Sequence, residues 1–436
     1  MERSPTGAVR WRTAVTELAG WDRPSASEGE RRAAEAIAGW LGELGCEVRV
    51  EEERAHGGYW WPVGLPNVLA AAGAALALRA SRPLAPGASA PLAARASRSA
   101  APRAPARLPH VRLARARPAR ALAALAAGAS AAALWDDLGH GRRWFRRALL
   151  PHRSTWNVVA WSGDATAPRT VAFLAHHDAA HSGLVFHPAL GRIGPRLAPR
   201  QHARASHTFP VLYAVWLGPV AICAGAVLGR RGVMAGGLAL ALGAAAAMAN
   251  IGSNAVVPGA NDNLTAVGVL LALAEALARE PIEGVRVLLV STGSEESFSE
   301  GMDAFGRRHF GELDPTSTEV VCLECLGSST LNVLEGEGML RMRDYPSEMR
   351  DALAGAAGTA GVAIGRGLRT VAATDALIAL RAGYPVVTLA SVDETKLPRN
   401  YHWPSDTPEG LRWQTVVDAI AVCESFLRLR ARQVTG

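Results

Sequence analysis

The sequence predicts an α/β fold, with a mixed, mostly parallel central sheet, helices on both faces and inserted hydrophobic helical hairpins. Three observations predict it. Short, near-continuous apolar runs alternate with amphipathic helical patterns, as buried strands and their covering helices do. Two long, weakly charged insertions interrupt that alternation. At 436 residues the chain is ample for one large core plus additions.

Residues 10–50 read as helix, loop, helix, strand. Ser27 and Glu30 stand at capping-box spacing ahead of RRAAEAIAGWLGELG (31–45), and Gly45 is placed to end that helix. CEVRVEE (46–52) alternates as a strand should. From Trp60 to Leu78 only apolar and small residues occur, apart from Asn67. Residues 79–120 are rich in Pro, Ala and Arg, with ten Arg, and read as a flexible loop. An Ala-rich apolar run follows at 121–135. The stretches 208–229 and 232–260 contain no charged residue, and only Arg230 and Arg231 separate them.

Runs of that length can cross a bilayer. The two uncharged stretches read as spans, whereas the Ala-rich runs at 60–78 and 121–135 stand between a span and a buried core helix. Each insertion must leave and return to one compact domain, which two helical hairpins accomplish. Helices are the expected form because irregular backbone cannot face lipid. The resulting organisation is a first domain segment at 1–59, an insertion at 60–150, a second segment at 151–190, an insertion at 191–256 and a final segment at 257–436.

Elsewhere the pattern is globular. NVVAW (157–161), TVAFLA (170–175), VRVLLVST (285–292), EVVCLECLG (319–327) and YPVVTLAS (384–391) read as buried strands. NLTAVGVLLALAEALARE (263–280) and LRWQTVVDAIAVCESFLRLRAR (411–432) read as helices.

A formal charge of +7 invites a nucleic-acid reading, but the basic residues are Arg apart from Lys396, and they crowd into loops instead of one face. No nucleic-acid partner is expected. Five cysteines, Cys46, Cys223, Cys322, Cys325 and Cys423, are too few and of the wrong parity for a disulfide framework. The CxxC pair at 322–325 lacks a second pair to complete a thiolate site, so both are expected in a strand core. The opening MERSPTGAVRWR carries no apolar leader.

Five segments place metal-type donors at or beyond predicted strand ends, where open α/β sheets put their sites. In LAHHDAAHSG (174–183), His176 is followed two residues on by Asp178, a spacing that can fix an imidazole tautomer. In PGANDN (258–263), Asp262 precedes a long helix and could equally cap it. STGSEES (291–297) sets Glu295 beside Glu296, two carboxylates that repel unless a cation or solvent intervenes, although a solvated acidic loop would look the same. CLECLG (322–327) buries Glu324 in an apolar strand, which is costly without a partner. In NYHWPSDTPEG (400–410), His402 lies in a Pro-containing loop with Asp406 nearby.

In this order the segments resemble the M28 family of zinc peptidases, which includes bacterial aminopeptidases. LAHHDAA is similar to the family's GAHYDS-like strand end, and GANDNLTAVGVLLALAEAL to its GADDN-like turn and helix. The Glu295–Glu296 pair and the acidic strand residue follow, and YHWPSDTPEG resembles a YHT..DTP-like loop. ATDALIALRAGYPVVTLAS (373–391) is similar to the family's Ser-Asp-His and Gly-Ile-Pro stretch, and WDRPSASEGERRAAEAIAGWLGELGCEV to its opening helices.

The resemblance implies a peptide substrate and two divalent metal ions, zinc by donor type. Asp262 would bridge both ions. His176 and Glu324 would complete one set of ligands, and Glu296 and His402 the other. Glu295 would be the general base and Asp178 would orient His176. One departure stands out, because the family usually has Asp where this chain has Glu324; ligation is expected to survive the extra methylene with a shifted ion or changed denticity, the alternative being weaker affinity there and a one-metal enzyme. Two other readings stay open: a glutaminyl-cyclase-like transferase with one zinc, and a non-catalytic, peptidase-like membrane protein. The expected location is a bacterial inner membrane. Arg-rich stretches at 140–153 and 192–204 and the missing leader favour a cytoplasmic catalytic domain, while the Arg-rich 79–120 points the other way. Oligomeric state is not legible.

Overall fold

The computed structural model describes residues 6–81, 110–208 and 210–433. Helices α1 (Thr6–Ala19) and α2 (Glu28–Glu43) lead into strand β1 (Glu47–Ala55), and helices α3 (Trp60–Ala80), α4 (His110–Leu138) and α5 (Trp144–Leu149) follow. Strands β2 (Arg153–Gly163) and β3 (Thr170–His176) precede three short helices, α6 (Pro188–Gly191), α7 (Ile193–Leu197) and α8 (Pro199–Arg204). Helices α9 (Val211–Leu228), α10 (Arg231–Ser253) and α11 (Thr265–Arg279) lead to β4 (Arg286–Thr292), α12 (Glu300–His309), β5 (Thr318–Glu324) and β6 (Thr330–Val333). After the short strands β7 (Gly336–Glu337) and β8 (Arg343–Asp344) come α13 (Ser347–Thr359), β9 (Arg369–Thr370), α14 (Ala376–Arg381), β10 (Val386–Val392) and α15 (Trp413–Arg432).

The chain divides into two compact units, one made of residues 1–62, 136–212 and 247–436 and the other of 63–135 and 213–246. The first unit is built on a seven-stranded sheet of order β1-β2-β4-β3-β5-β10-β6. Strands β4, β3, β5 and β10 run parallel, and the flanking β1, β2 and β6 pair antiparallel. The mostly parallel sheet, covered by helices, is the predicted class. Strand β3 is buried from end to end, which explains its unbroken apolar run. Helices α1, α11, α13 and α15 pack against one another, while α12 and α14 form a separate pair. Ile37 and Leu41 of α2 are fully buried, each stabilising the fold by about 1.5–3 kcal/mol.

Both insertions leave and re-enter this unit at paired backbone. Ala55 stands opposite Arg153 in the β1–β2 register, flanking the first. Across the second, Ser182 N–H donates to the Ala255 carbonyl at 3.0 Å and Val257 N–H to the Ala180 carbonyl at 2.9 Å. His181 Nδ1 adds a 2.7 Å bond to the Asn254 carbonyl.

The second unit is helical, and its outside is apolar as well as its inside. Its buried residues are small, with Ala70, Ala74, Ala77, Ala123 and Ala127 packed around Ile222 and Met234. Its exposed residues include Leu69, Leu76, Leu122, Leu125, Val227, Leu228 and Leu242. Small residues let helix backbones approach, as in lipid. A Cβ on Gly237 would sit 2.7 Å from the Ile222 nitrogen and 2.8 Å from the Gly218 carbonyl oxygen. Among the described residues, three helices are long and apolar enough to cross a membrane: Trp60–Ala80, Arg117–Leu138 and Arg231–Ser253. The uncharged stretch at 208–229 yields only a shorter helix, Leu212–Leu228, whereas the two Ala-rich runs extend to full length. Ala and Arg are strong helix formers, so α3 runs on through Arg79, and residues 110–120, expected as loop, open α4. The rest of the expected flexible loop, 82–109, lies outside the described residues.

Candidate metal centre

The parallel strands β4, β3 and β5 end side by side. Register sets His176 against Thr292, and Leu174 against Cys322. Two residues beyond that second pair, Glu324 falls level with His176. Glu295 and Glu296 follow β4 in a short turn, Glu295–Ser297. Asp262 comes from the tight turn Ala260–Leu264 ahead of α11, in which the Asp262–Asn263 peptide is cis. It does not cap the helix, because the cap position is Leu264 and makes no side-chain bond. His402 arrives from the loop before α15.

All seven residues singled out in the sequence meet in one place. His176 Nε2 lies 3.3 Å from Asp262 Oδ1, 3.5 Å from Glu324 Oε1 and 3.8 Å from Glu295 Oε2. His402 Nε2 lies 3.2 Å from Asp262 Oδ2 and 3.2 Å from Glu296 Oε1. Asp262 therefore faces two donor sets, one with each oxygen. Two N or O ligands of a tetrahedral zinc, each about 2.1 Å from the ion, stand about 3.4 Å apart, and the observed separations match. His176 Nε2, Asp262 Oδ2 and Glu296 Oε1 are buried without a hydrogen-bond partner, which is costly unless a cation satisfies them. The donors fit divalent metal. Glu324 absorbs its extra methylene by turning Oε2 towards Asn263 Nδ2 at 3.4 Å, which leaves Oε1 facing His176.

The electrostatics show the same demand for positive charge. Burial alone would depress both imidazoles, but the surrounding carboxylates outweigh it. Glu295, Asp178, Asp262 and Glu324 hold His176 well above the usual range. Glu296 and Asp262 push His402 up to about 10. Burial raises Glu295 well above an ordinary carboxylate, and Glu324, Glu296 and Asp375 add to it against His176. Bound cations would replace the protons that this cluster otherwise draws in.

The backbone carrying these donors is held by buried carboxylates. Asp178 approaches His176 Nδ1 at 3.4 Å. Its Oδ1 also accepts the Glu295 N–H at 3.0 Å, and its Oδ2 accepts the Glu296 N–H at 3.1 Å and the Ser25 hydroxyl at 2.6 Å. Asp406 does the same for the bridging turn, its two oxygens accepting the N–H groups of Asn261 at 2.9 Å and Asp262 at 3.1 Å. Arg23, fully buried, donates to the carbonyls of His177 and Pro258. Arg146, also fully buried, pairs with Asp137 and donates to the Ser297 carbonyl at 2.6 Å, so residues 136–150 grip the turn that carries Glu295.

Sequence reasoning missed the role of Glu30. Ser27 Oγ accepts the Glu30 N–H at 3.2 Å, as the spacing suggested. The Glu30 carboxylate, however, is fully buried and accepts five bonds. Oε2 takes Ala26 N–H at 2.8 Å, Ser294 N–H at 3.0 Å and Ser294 Oγ at 2.9 Å; Oε1 takes Thr155 Oγ1 at 2.7 Å and Trp156 N–H at 3.0 Å. It fixes the residue immediately before Glu295. The only signal was a capping-box spacing that also suits an ordinary helix start.

Solved structures share this architecture. An aminopeptidase from Aneurinibacillus sp. strain AM-1 superposes with a TM-score of 0.51 at 13% identity, covering 97% of this chain and 93% of its own. A zinc aminopeptidase from Bacillus subtilis gives 0.51 at 13%, covering 98% and 95%. A glutaminyl cyclase from Bacteroides thetaiotaomicron gives 0.52 at 12%, covering 98% of each. At such identities the likeness establishes the fold. No curated protein matches the chain in sequence. Residues 246–427, which carry Asp262, Glu295, Glu296, Glu324 and His402, match the model of peptidase family M28.

Proposed function

We propose that the chain is a zinc-dependent exopeptidase, an aminopeptidase that removes N-terminal residues from peptides and is anchored in a bilayer by its hydrophobic helices. The observation that carries this reading is the Asp262 carboxylate, which presents one oxygen to His176 and the other to His402. A shared carboxylate between two sets is what a dinuclear centre requires. His176 and Glu324 would hold one ion, and Glu296 and His402 the other. Bound there, the ions would polarise the scissile carbonyl and acidify a water.

The rest falls to the chain's own groups. Glu295 stands beside the donors without belonging to the tighter pairs, its Oε2 3.8 Å from His176 Nε2, which leaves a carboxylate oxygen free to accept a proton. It takes the proton from the attacking water and hands it to the departing amine. Asp178 orients His176 and fixes the backbone of Glu295 and Glu296.

The test combines metal analysis of the purified protein with two substrates, an aminoacyl reporter and a peptide beginning with Gln. Two zinc ions per chain with reporter hydrolysis supports the proposal. One zinc with ring closure of the N-terminal Gln replaces it with the cyclase reading. A folded protein that takes up no metal leaves only a scaffold.

A further inference from the structure

We propose that residues 184–204 form an interfacial surface that lies in the headgroup region of an anionic phospholipid bilayer. The stretch departs from an ordinary soluble surface in two ways at once. Four of its large apolar side chains face outward, with Leu197 81% and Leu184 66% exposed and Leu190 and Ile193 about half exposed, while Phe186 turns in against Tyr401 and His402. Among them stand the exposed Arg192 and Arg196, and just beyond them the exposed Arg200 and Arg204; no Asp or Glu occurs from residue 179 to residue 261. Arginine beside exposed leucine is the composition of segments that sink apolar groups below a layer of phosphates.

The segment is ordered without being covered. Lys396 donates its ammonium to the carbonyls of His202, Ala203 and Ala205, and His202 Nε2 bonds the Glu394 carbonyl at 2.9 Å. Its exposed leucines are therefore not those of a frayed loop. Chain continuity supplies the partner. Only six residues separate Arg204 from the apolar helix α9 at Val211, so extended chain allows at most about 25 Å between them. A nucleic acid would suit the arginines but would gain nothing from Leu197 and Leu184.

The inference rests on the reading of the hydrophobic helices as bilayer-embedded, so the experiment separates the two. The full chain carrying Leu197→Cys, with Cys46 and Cys223 replaced by Ser, is labelled with an environment-sensitive dye and reconstituted into nanodiscs. The discs are made of phosphatidylcholine alone or mixed with phosphatidylglycerol, and a label at the exposed Thr359 serves as control. The expected result is co-elution with lipid in both cases. The dye at 197 shifts to the blue, most strongly in anionic discs, and the dye at 359 does not. Replacing all four arginines by Gln removes the lipid-dependent part of the shift. Protein that co-elutes but keeps the dye at 197 in water overturns the inference while leaving the helices embedded. Protein that never co-elutes overturns both. A shift produced by single-stranded RNA and not by lipid reassigns the arginines and overturns it as well.

Discussion

Removing the Glu30 carboxylate should, from a distance, unseat the turn that carries Glu295 and Glu296. In Glu30→Ala the buried N–H groups of Ala26 and Ser294 and the part-buried N–H of Trp156 lose the Glu30 acceptor. Each orphaned buried donor costs about 1–3 kcal/mol, so the Ala26 and Ser294 groups together cost about 2–6 kcal/mol. That is a large fraction of the stability of a typical domain, about 5–15 kcal/mol, and the variant should melt far below the parent or fail to fold. Glu30→Gln keeps the shape. With its oxygen on the Ala26 and Ser294 side, its amide can donate to Thr155 Oγ1 and only the part-buried Trp156 N–H is orphaned, a loss of at most about 3 kcal/mol. The Gln variant should retain zinc and most of its turnover. The sign of the pH dependence follows from the same burial. Burial and the neighbouring Asp178 charge raise Glu30 from 4.5 to about 8. Its contribution is complete below pH 4.5 and is lost as pH climbs through 8, and Gln should flatten the stability profile over that window. Thermal melts of the parent and both variants in detergent, from pH 4.5 to 8.5, measure all of this. A Glu30→Ala protein as stable as the parent would refute the reasoning.

Other outcomes follow from the same geometry. Glu295→Gln should keep its metal content and lose about 10²–10⁴-fold in kcat; full activity there removes Glu295 as the base. Asp178→Ala should weaken zinc binding about 10–100-fold, read by competition with a chelating dye, because it frees both Glu295 and Glu296 from their anchor. Asp406→Asn can accept only one of the two N–H groups that hold the Asp262 turn, and should lower the melting point through a loss of about 1–3 kcal/mol. Gly237→Leu should drive α9 and α10 apart, since even a Cβ there overlaps the facing backbone; faster amide exchange in both helices, with zinc content unchanged, is the expected reading.

The donors were legible in the sequence because each is a chemically loud residue in a quiet setting. Glu324 in an apolar strand and His176 after another mark themselves, and parallel register turns separate strand ends into neighbours. The supports were harder to see. Glu30 acts on Ser294 across 264 positions, and nothing near Glu30 in the chain indicates that its carboxylate bends away from the helix it opens. Asp406 was noticed only as a neighbour of His402, since a carboxylate accepting backbone N–H groups leaves no pattern at its partners. The hydrophobic helices were found, but their relative lengths were misjudged. Hydropathy ranked the uncharged 208–229 above the Ala-rich runs, whereas helix propensity, which favours Ala and Arg, set where each helix ended.

Along the chain, the pair of backbone bonds joining Ala180 and Ser182 to Val257 and Ala255 lies between His176 and Asp262 on one side and helices α9 and α10 on the other. His176 sits four residues before this bridge and Asp262 five residues after it. If α9 and α10 are embedded as proposed, a tug on them from a change in bilayer thickness or lateral pressure is borne as shear across those bonds before any displacement reaches His176 or Asp262. The arrangement works as a cable clamp does for a soldered joint, so these two residues can hold their places while α9 and α10 shift.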